Sequence, residues 1–598
     1  MTPKKYLLLF TIGPVQSFIA QARKTHDLYA GSRILSDLID FAIKKIAERD
    51  ATVIYPAADT DSKPNRFIAQ TQQSDCEAMR TYAQQLAHDV RTEFMRIARE
   101  CLGGFENWAA CENQLDDFLE VHWAAIPYTE SDNYGQKYSE LEQQLGAAKN
   151  FRPFRQIKEW GRKCSVTGKQ NALFYRMAKN ENKAAYLCQK CIILKHDDER
   201  LKDWALQIGE GVSAIVLLKR LYKRNSTASQ QSQGEFPSTA DIAMLYTLGS
   251  LRSKIDNKID DLARALGETP ETIGQFWFAE NYNKPYFEQQ GKSEQQFKQS
   301  LAAWGRVNQC LKLMKQSYHK YYAILLFDAD NMGAEIGGSA TPCKQNKLSK
   351  KLGDYAKWAK CYVEGELYTD KNNAQHVYTQ KRGKVVYAGG DDFLGMLTLP
   401  TLYETVQMLR QQFDKMVGMT FSAGLAIAHY KTPLSETLQW ARKMEKQAKD
   451  VDGKDAFAIA AVHHSGQITT TKLKWKIDSD KEDYSDDNMA TQSLQIIYEQ
   501  LRDHFSSKWI RILENESDIF ADAAKDSTTE FMFKSELRRL VQRGYDSDDK
   551  DKEKARIEQL CHSIEKLLDN IWRVNPPNIQ PVIDLLSIAD FSNRKINE

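Results

Sequence analysis

No run of 18 apolar residues occurs in the 598-residue chain, so the sequence offers no membrane-spanning helix. Nor does either sign of charge prevail: 82 Lys and Arg stand against 80 Asp and Glu, for a net charge of +2. That balance excludes a globally basic nucleic-acid binder and leaves room only for local basic grooves. No signal peptide is expected ahead of the first strand-like segment, and no short-period repeat is visible. A soluble cytoplasmic protein that makes no membrane contact is expected. The ten cysteines are scattered, most of them in apolar surroundings, and disulfides are not expected in that compartment. A chain of this length holds roughly three or four domains, each with its own core.

Against this background one stretch stands out, residues 385–395, VVYAGGDDFLG. An apolar β-type run enters Gly389 and Gly390, then Asp391 and Asp392, and apolar residues resume at once. The pattern predicts a tight hairpin with an acidic tip. Two glycines permit the turn and leave room for a bulky anion beside the backbone. Adjacent carboxylates repel unless a cation lies between them, and Mg²⁺ suits a few carboxylates together with phosphate oxygens. Alone, the motif is equally an ordinary acidic turn.

A second feature decides between these. Residues 322–333, YAILLFDADNMG, read as a buried strand ending at Asp328. Asp330 follows where the turn begins, and its side chain is expected to cap the turn of Asn331, Met332 and Gly333. A strand-end acid and a hairpin acid about 60 residues apart fit a palm of ferredoxin-like topology, with the two strands side by side. Both carboxylates then reach one metal pair, the arrangement that clamps the attacking and leaving oxygens of a phosphoryl displacement. Asp328, Asp391 and Asp392 are therefore the expected catalytic and metal-binding residues. A basic helix follows at 440–450, where Arg442, Lys446 and Lys449 share one face. Lys446 and Lys449 are the expected triphosphate contacts, against the plainer alternative of a solvated helix face.

The wider pattern is α+β and multidomain. A strand at 6–13, helical sequence to about 49 and a strand at 52–55 suggest a first palm-like domain with a helical insertion, assigned to 1–155. Residues 156–318 hold a cysteine knuckle, a strand expected at 212–218, a polar linker at 225–236 and further helical sequence. The second palm is assigned to 319–470 and a charged helical domain to 471–598, with the acidic stretch 478–488 at its boundary. In the knuckle, Cys188 and Cys191 have the spacing that lets two thiolates hold one Zn²⁺. Cys164 is the third thiol, but no second cysteine follows it, since the sequence there is CSVTG.

Several islands besides the two acidic segments carry a family resemblance. They are GPVQSFI from Gly13, ARKT from Ala22, LYAGS from Leu28, FPSTADIA from Phe236 and SAGLAIAHYKTPL from Ser422. In this order, up to about residue 465, they resemble the large polymerase/cyclase-like subunit of type III-B CRISPR effector complexes, the Cmr complexes. The resemblance implies two ferredoxin-like palms with helical domains and a zinc ribbon in which Thr167 stands where a cysteine would be. Either a residue such as His196 completes that zinc site or the site is degenerate. It implies that Gly31 and Ser32 of the first palm join the hairpin glycines in binding nucleotide; the plainer alternative is a helix N-terminal turn capped by Ser32. It further implies ATP as substrate with Mg²⁺ or Mn²⁺, a cyclic oligoadenylate product, and other Cmr subunits, guide CRISPR RNA and target RNA as partners. Three alternatives remain: joining of AMP to S-adenosylmethionine, a catalytically silent scaffold, and a stand-alone diguanylate cyclase. Many relatives carry an N-terminal His-Asp nuclease domain. Here the chain begins at the palm, and His26-Asp27, His88-Asp89 and His196-Asp197 are isolated dipeptides, so no DNase activity is expected.

Overall fold

The first strand, β1 (Lys4–Gly13), is buried along almost its whole length. It is the centre of a four-stranded sheet, and centre strands are covered on both faces. The structure, a computed structural model, describes residues 4–593 except 50, 58–62, 151–158, 179–180, 182–185, 196–197, 224–235, 315–317, 338–340, 371, 390, 479, 482–483, 524, 547–549 and 577. The expected linker therefore lies almost wholly outside the described residues, as does His196. Contacts gather the chain into two interleaved units. One comprises Met1–Ser238, Asp260–Gly305 and Asn331–Asp354; the other comprises Thr239–Ile259, Arg306–Asp330 and Tyr355–Glu598.

In the first unit β1 is followed by helix Thr25–Ala47, β2 (Thr52–Tyr55), β3 (Arg66–Gln73), helix Cys76–Leu102 and β4 (Glu120–Pro127). The strand order β2–β3–β1–β4, antiparallel throughout, is ferredoxin-like. A smaller sheet of β5 (Phe174–Arg176), β6 (Ile192–Leu194) and β7 (Gly211–Val212) follows, in the order β6–β5–β7. The strand expected at 212–218 is corrected: only Gly211–Val212 is extended, and Ala214–Leu221 is a helix. That run is buried on all sides, and a short, uniformly apolar run carries no periodicity to separate helix from strand. The Gln114 side chain helps to start the helix by accepting from Ala214 N at 3.0 Å.

The same helix brings a charge cluster into the core. Arg220 bonds Asp27 through Nε at 3.3 Å and Glu210 through Nη2 at 2.8 Å, and all three side chains are essentially inaccessible. Lys219, equally buried, donates to Phe18 O at 2.8 Å and to Gln21 O at 2.5 Å. Desolvation pulls its ammonium down to about 8. Asp27 also accepts from the backbone N–H groups of Arg23 and Lys24, which starts helix Thr25–Ala47. With its carboxylate committed in this way, the His26-Asp27 pair supplies no free acid for a metal.

The second unit contains β8 (Tyr321–Ala329), the hairpin β9 (Leu367–Thr369) and β10 (Gln375–Val377), β11 (Gly383–Gly389), β12 (Asp392–Thr398), β13 (Phe421–His429), β14 (Ala456–Val462) and β15 (Ile468–Lys474). Its main sheet has the order β11–β12–β8–β13–β14–β15. The first four strands repeat the ferredoxin-like order. The last two extend it through helix Leu434–Lys449, which links the parallel pair β13 and β14. Below β8 the rings of Phe393, Phe327 and Phe421 stack across three strands, with centroids 4.8 and 4.0 Å apart. Phe413 and Tyr355 close on that ladder from two helices, Leu402–Val417 and Pro342–Glu364. Side chains alternate along a strand, so this aromatic face leaves Asp328 and Asp392 on the other face. Helices Ala490–Asp503, Lys508–Asn515, Ser527–Arg543, Glu553–Val574 and Gln580–Ser592 follow in the same unit. Among the described residues no helix is long and apolar enough to cross a membrane.

Candidate functional site

The register places the acids. Asp392, the first residue of β12, lies directly opposite Asp328 on β8, and Gly389 closes the hairpin opposite Asp392. Asp391 O accepts from Ala329 N at 2.9 Å, which pins the hairpin tip to the end of β8. Gly390 lies outside the described residues. Asp328 and Asp391 are half-buried, while the Asp392 side chain keeps solvent contact. Strand end and hairpin thus stand side by side, as the ferredoxin-like topology requires.

Two further side chains, Glu445 and Tyr387, join the acids without being marked by the sequence motifs. Glu445 on helix Leu434–Lys449 sits among the acids and adds to the negative potential at Asp328, Asp392 and Tyr387. Tyr387 stands two residues before Gly389. Burial, then repulsion by Asp392, Glu445 and Asp328, keeps its phenol firmly protonated, with Arg442 opposing. Lys449 Nζ bonds Asp328 Oδ2 and lies 3.1 Å from Glu445 Oε1. Burial weakens its ammonium, but the two carboxylates more than offset this and hold it above the ordinary lysine value. Lys446 is exposed on the same helix. A signal for Glu445 was present in its i,i+4 spacing from Lys449.

Asp330 differs from expectation. Its buried carboxylate accepts from Thr420 Oγ1 and Ser422 Oγ, each at 2.8 Å, and from Asp455 N at 3.1 Å. It is thus a brace between the end of β8 and two neighbouring segments rather than a cap on its own turn. Behind it Arg410 grips Asp455 Oδ1 through Nε at 3.0 Å and Nη2 at 2.7 Å, and Tyr484 donates to Asp455 Oδ2 at 2.7 Å. The brace holds the Asp328 backbone still while leaving its carboxylate to the cluster.

Four carboxylates against one bonded ammonium make the cluster electrostatically hungry for cations. Desolvation, with repulsion from Asp391 and Glu445, lifts Asp328 to about 6 despite Lys449. Desolvation and the charges of Asp391, Asp328 and Glu445 raise Asp392 well above the usual carboxylate range. Carboxylate oxygens in such excess suit a hard divalent cation. Among the described residues no three His, Cys, Asp or Glu side chains converge on one point, so the acids adjoin without forming a closed cage. An open donor set is the usual form for Mg²⁺, which keeps waters and substrate phosphates in its shell.

The raised acid gives a stability prediction. A carboxyl near 6 in the folded chain and 3.8 unfolded binds protons more tightly when folded, so its contribution is full below about 4 and is lost as pH rises through 6. In metal-free buffer Asp328→Asn should therefore raise the melting temperature at pH 7.5, by a free energy on the order of 1–3 kcal/mol, and leave it unchanged near pH 4. Equal effects at both pH values would show that Asp328 is not strained.

The remaining expected residues lie in the first unit. Gly31 and Ser32 stand well inside helix Thr25–Ala47, so neither belongs to its first turn and Ser32 is not its cap. At Gly31 an added Cβ would lie 3.3 Å from Lys219 Cδ and 3.4 Å from Ile19 Cα, so glycine there admits close packing. The zinc set is not assembled: among the described residues Cys164, Cys188 and Cys191 do not form a three-ligand group. Cys188 Sγ points to Ala172 O at 3.5 Å, burial pushes Cys191 up to about 12, and Cys164 is buried where its charge would act on Lys219. Cys164→Ser should leave the zinc content of the purified chain unchanged by elemental analysis; loss of zinc would return Cys164 to the knuckle. A hollow of about 800 Å³ in this unit is lined by Gln114, Trp160, Tyr186 and Cys188, and by none of the clustered acids.

A ferredoxin-like sheet with acids at the end of its central strand and on the adjoining hairpin defines a palm-type domain. Residues 321–458 match the family model described as Cas10/Cmr2, second palm domain, and residues 7–102 match CRISPR-associated protein Cmr2, N-terminal. The chain is 24% identical over 559 residues to the CRISPR system Cmr subunit Cmr2 of Pyrococcus furiosus, a match covering 79% of this chain and 63% of that protein. It thus spans less than two thirds of that relative's length. Among solved structures it resembles a chain of the type III-B Cmr-beta apo state, with TM-score 0.69 and 14% identity over 99% of this chain and 82% of that one. It also resembles one of type III-B Cmr-beta bound to cognate target RNA, with TM-score 0.64, 16% identity and coverage of 99% and 83%. Two segments of the chain thus match domains described for the Cas10/Cmr2 family, its N-terminal domain and its second palm.

Proposed function

We propose that this protein is the nucleotidyl-transferring subunit of an RNA-guided type III-B CRISPR effector complex and forms an adenylate second messenger from ATP. One observation carries the proposal: Asp328, Asp391 and Asp392 are gathered, with Glu445, at the strand end and hairpin of a palm. Divalent cations held by Asp328, Asp391 and Asp392 would neutralise the triphosphate and acidify the attacking ribose hydroxyl. Gly389 and Gly390 let the hairpin backbone come close to the phosphates, and Lys446 and Lys449 supply positive charge for them. A ribose oxygen of one ATP forms a bond to the α-phosphorus of another, the bond to pyrophosphate breaks, and the hydroxyl proton leaves to solvent. Repetition and ring closure give a cyclic oligoadenylate, the product that the sequence resemblance implies. The names of the solved relatives, a Cmr-beta complex in its apo state and with cognate target RNA, support other Cmr subunits and target RNA as partners, and the sequence resemblance implies guide RNA beside them.

A single incubation separates the alternatives. Labelled ATP, Mg²⁺ and the assembled complex are mixed with and without matching RNA, in parallel with GTP alone and with S-adenosylmethionine added. RNA-dependent oligoadenylate with release of pyrophosphate supports the proposal. An AMP adduct of S-adenosylmethionine, a cyclic guanylate or no product at all would each replace it with the corresponding alternative.

A further inference from the structure

Helix Leu434–Lys449 lies so close on β13 that a Cβ built on Gly424 would fall 2.1 Å from Ala441 O and 2.2 Å from Glu445 N. Both are backbone atoms, so no side-chain adjustment makes room and glycine is what permits the approach. The contact sets Glu445, and one turn on Lys449, over the strand that pairs with the end of β8. There the ammonium stands between two carboxylates, bonded to Asp328 Oδ2 and 3.1 Å from Glu445 Oε1. Lys449 is about one-third exposed, so it has room to move.

Asp328 cannot serve an ammonium and a divalent cation equally well, because both draw on the same lone pairs. Glu445 offers Lys449 a second seat that requires no change in the helix, since i and i+4 side chains are neighbours on one face. We propose that Glu445 is a positioning residue that draws Lys449 away from Asp328 as a divalent cation is taken up, and keeps the ammonium at the rim for the triphosphate. The inference rests on the assignment of Asp328 as a cation ligand under the proposed function. It assigns Glu445 no contact with the reacting atoms. It acts through Lys449, over and above the attraction that its own charge exerts on a cation at Asp328.

The test is Mn²⁺ binding to the full chain without nucleotide, followed by electron paramagnetic resonance, with the melting temperature of each variant recorded. Glu445→Gln keeps the side-chain shape but leaves Lys449 with Asp328 only, so Mn²⁺ should bind roughly three- to tenfold more weakly. Lys449→Met removes the competitor and should tighten Mn²⁺ binding. Glu445→Gln should cost less Mn²⁺ affinity in the Lys449→Met background than in the wild type, because only its own charge is then lost. Wild-type affinity in Glu445→Gln overturns the inference. So does an equal loss on Glu445→Gln in the two backgrounds, which would show that Glu445 acts by its own charge and not through Lys449. A wild-type chain that binds no Mn²⁺ removes the cation assignment itself and the inference with it, a failure seen before any variant is measured.

Discussion

Replacing Asp391 and Asp392 together with Ala is expected to abolish the adenylate product, a fall on the order of 10³-fold or more, since the charge neutralisation at stake is worth several kcal/mol. The fold should survive. Asp392 keeps solvent contact at the start of β12, Asp391 is half-buried at the hairpin tip, and the contact that pins the tip uses the Asp391 backbone carbonyl rather than its carboxylate. Removing two mutually repelling acids also relieves Asp328. Chromatography of labelled ATP products, with melting curves of both proteins, checks the expectation. Wild-type product from the double variant would remove the hairpin from the chemistry.

The largest effect on stability is expected away from this site, at Arg220. Its guanidinium is buried between Asp27 and Glu210, which are themselves inaccessible. Arg220→Ala leaves two carboxylates in the core without their main counter-charge, and breaking such a buried pair costs about 3–5 kcal/mol. Lys219 does not take over, because its ammonium is committed to the carbonyls of Phe18 and Gln21. Urea denaturation of the purified variant measures the loss. A midpoint equal to that of the wild type would mean that water or a rearranged Arg23 replaces the guanidinium, since Arg23 Nη1 already lies 3.5 Å from Glu210.

The parts legible in the sequence were those that chain-local patterns encode. An apolar run ending in Asp328, and a second broken by Gly389 to Asp392, each announce a strand and its acidic end, and the βαββαβ topology brings the two together. What lay beyond reach depends on packing between distant segments. Asp330 has the local look of a turn cap, yet Thr420, Ser422 and Asp455 arrive from elsewhere to claim it. Gly31 and Ser32 resemble a helix start, but the helix begins at Thr25, where Asp27 accepts from the backbone of Arg23 and Lys24. The run 212–218 is apolar in every direction because Ala214–Leu221 is enclosed, and enclosure erases the periodicity that distinguishes helix from strand. Glu445 was hidden for a different reason: its place among the acids depends on the helix resting on Gly424. That glycine inside an apolar strand was itself a readable sign of close backbone approach.

The central claim is that the acids of the second palm transfer a nucleotidyl group from ATP. Pyrophosphate release tests it most directly, measured with ATP, Mg²⁺, the assembled complex and matching RNA, using wild type and Asp328→Ala in parallel. The expected result is about one pyrophosphate per phosphodiester bond from the wild type and none above background from Asp328→Ala. Equal release by the two proteins, or none by the wild type with RNA bound, would contradict it.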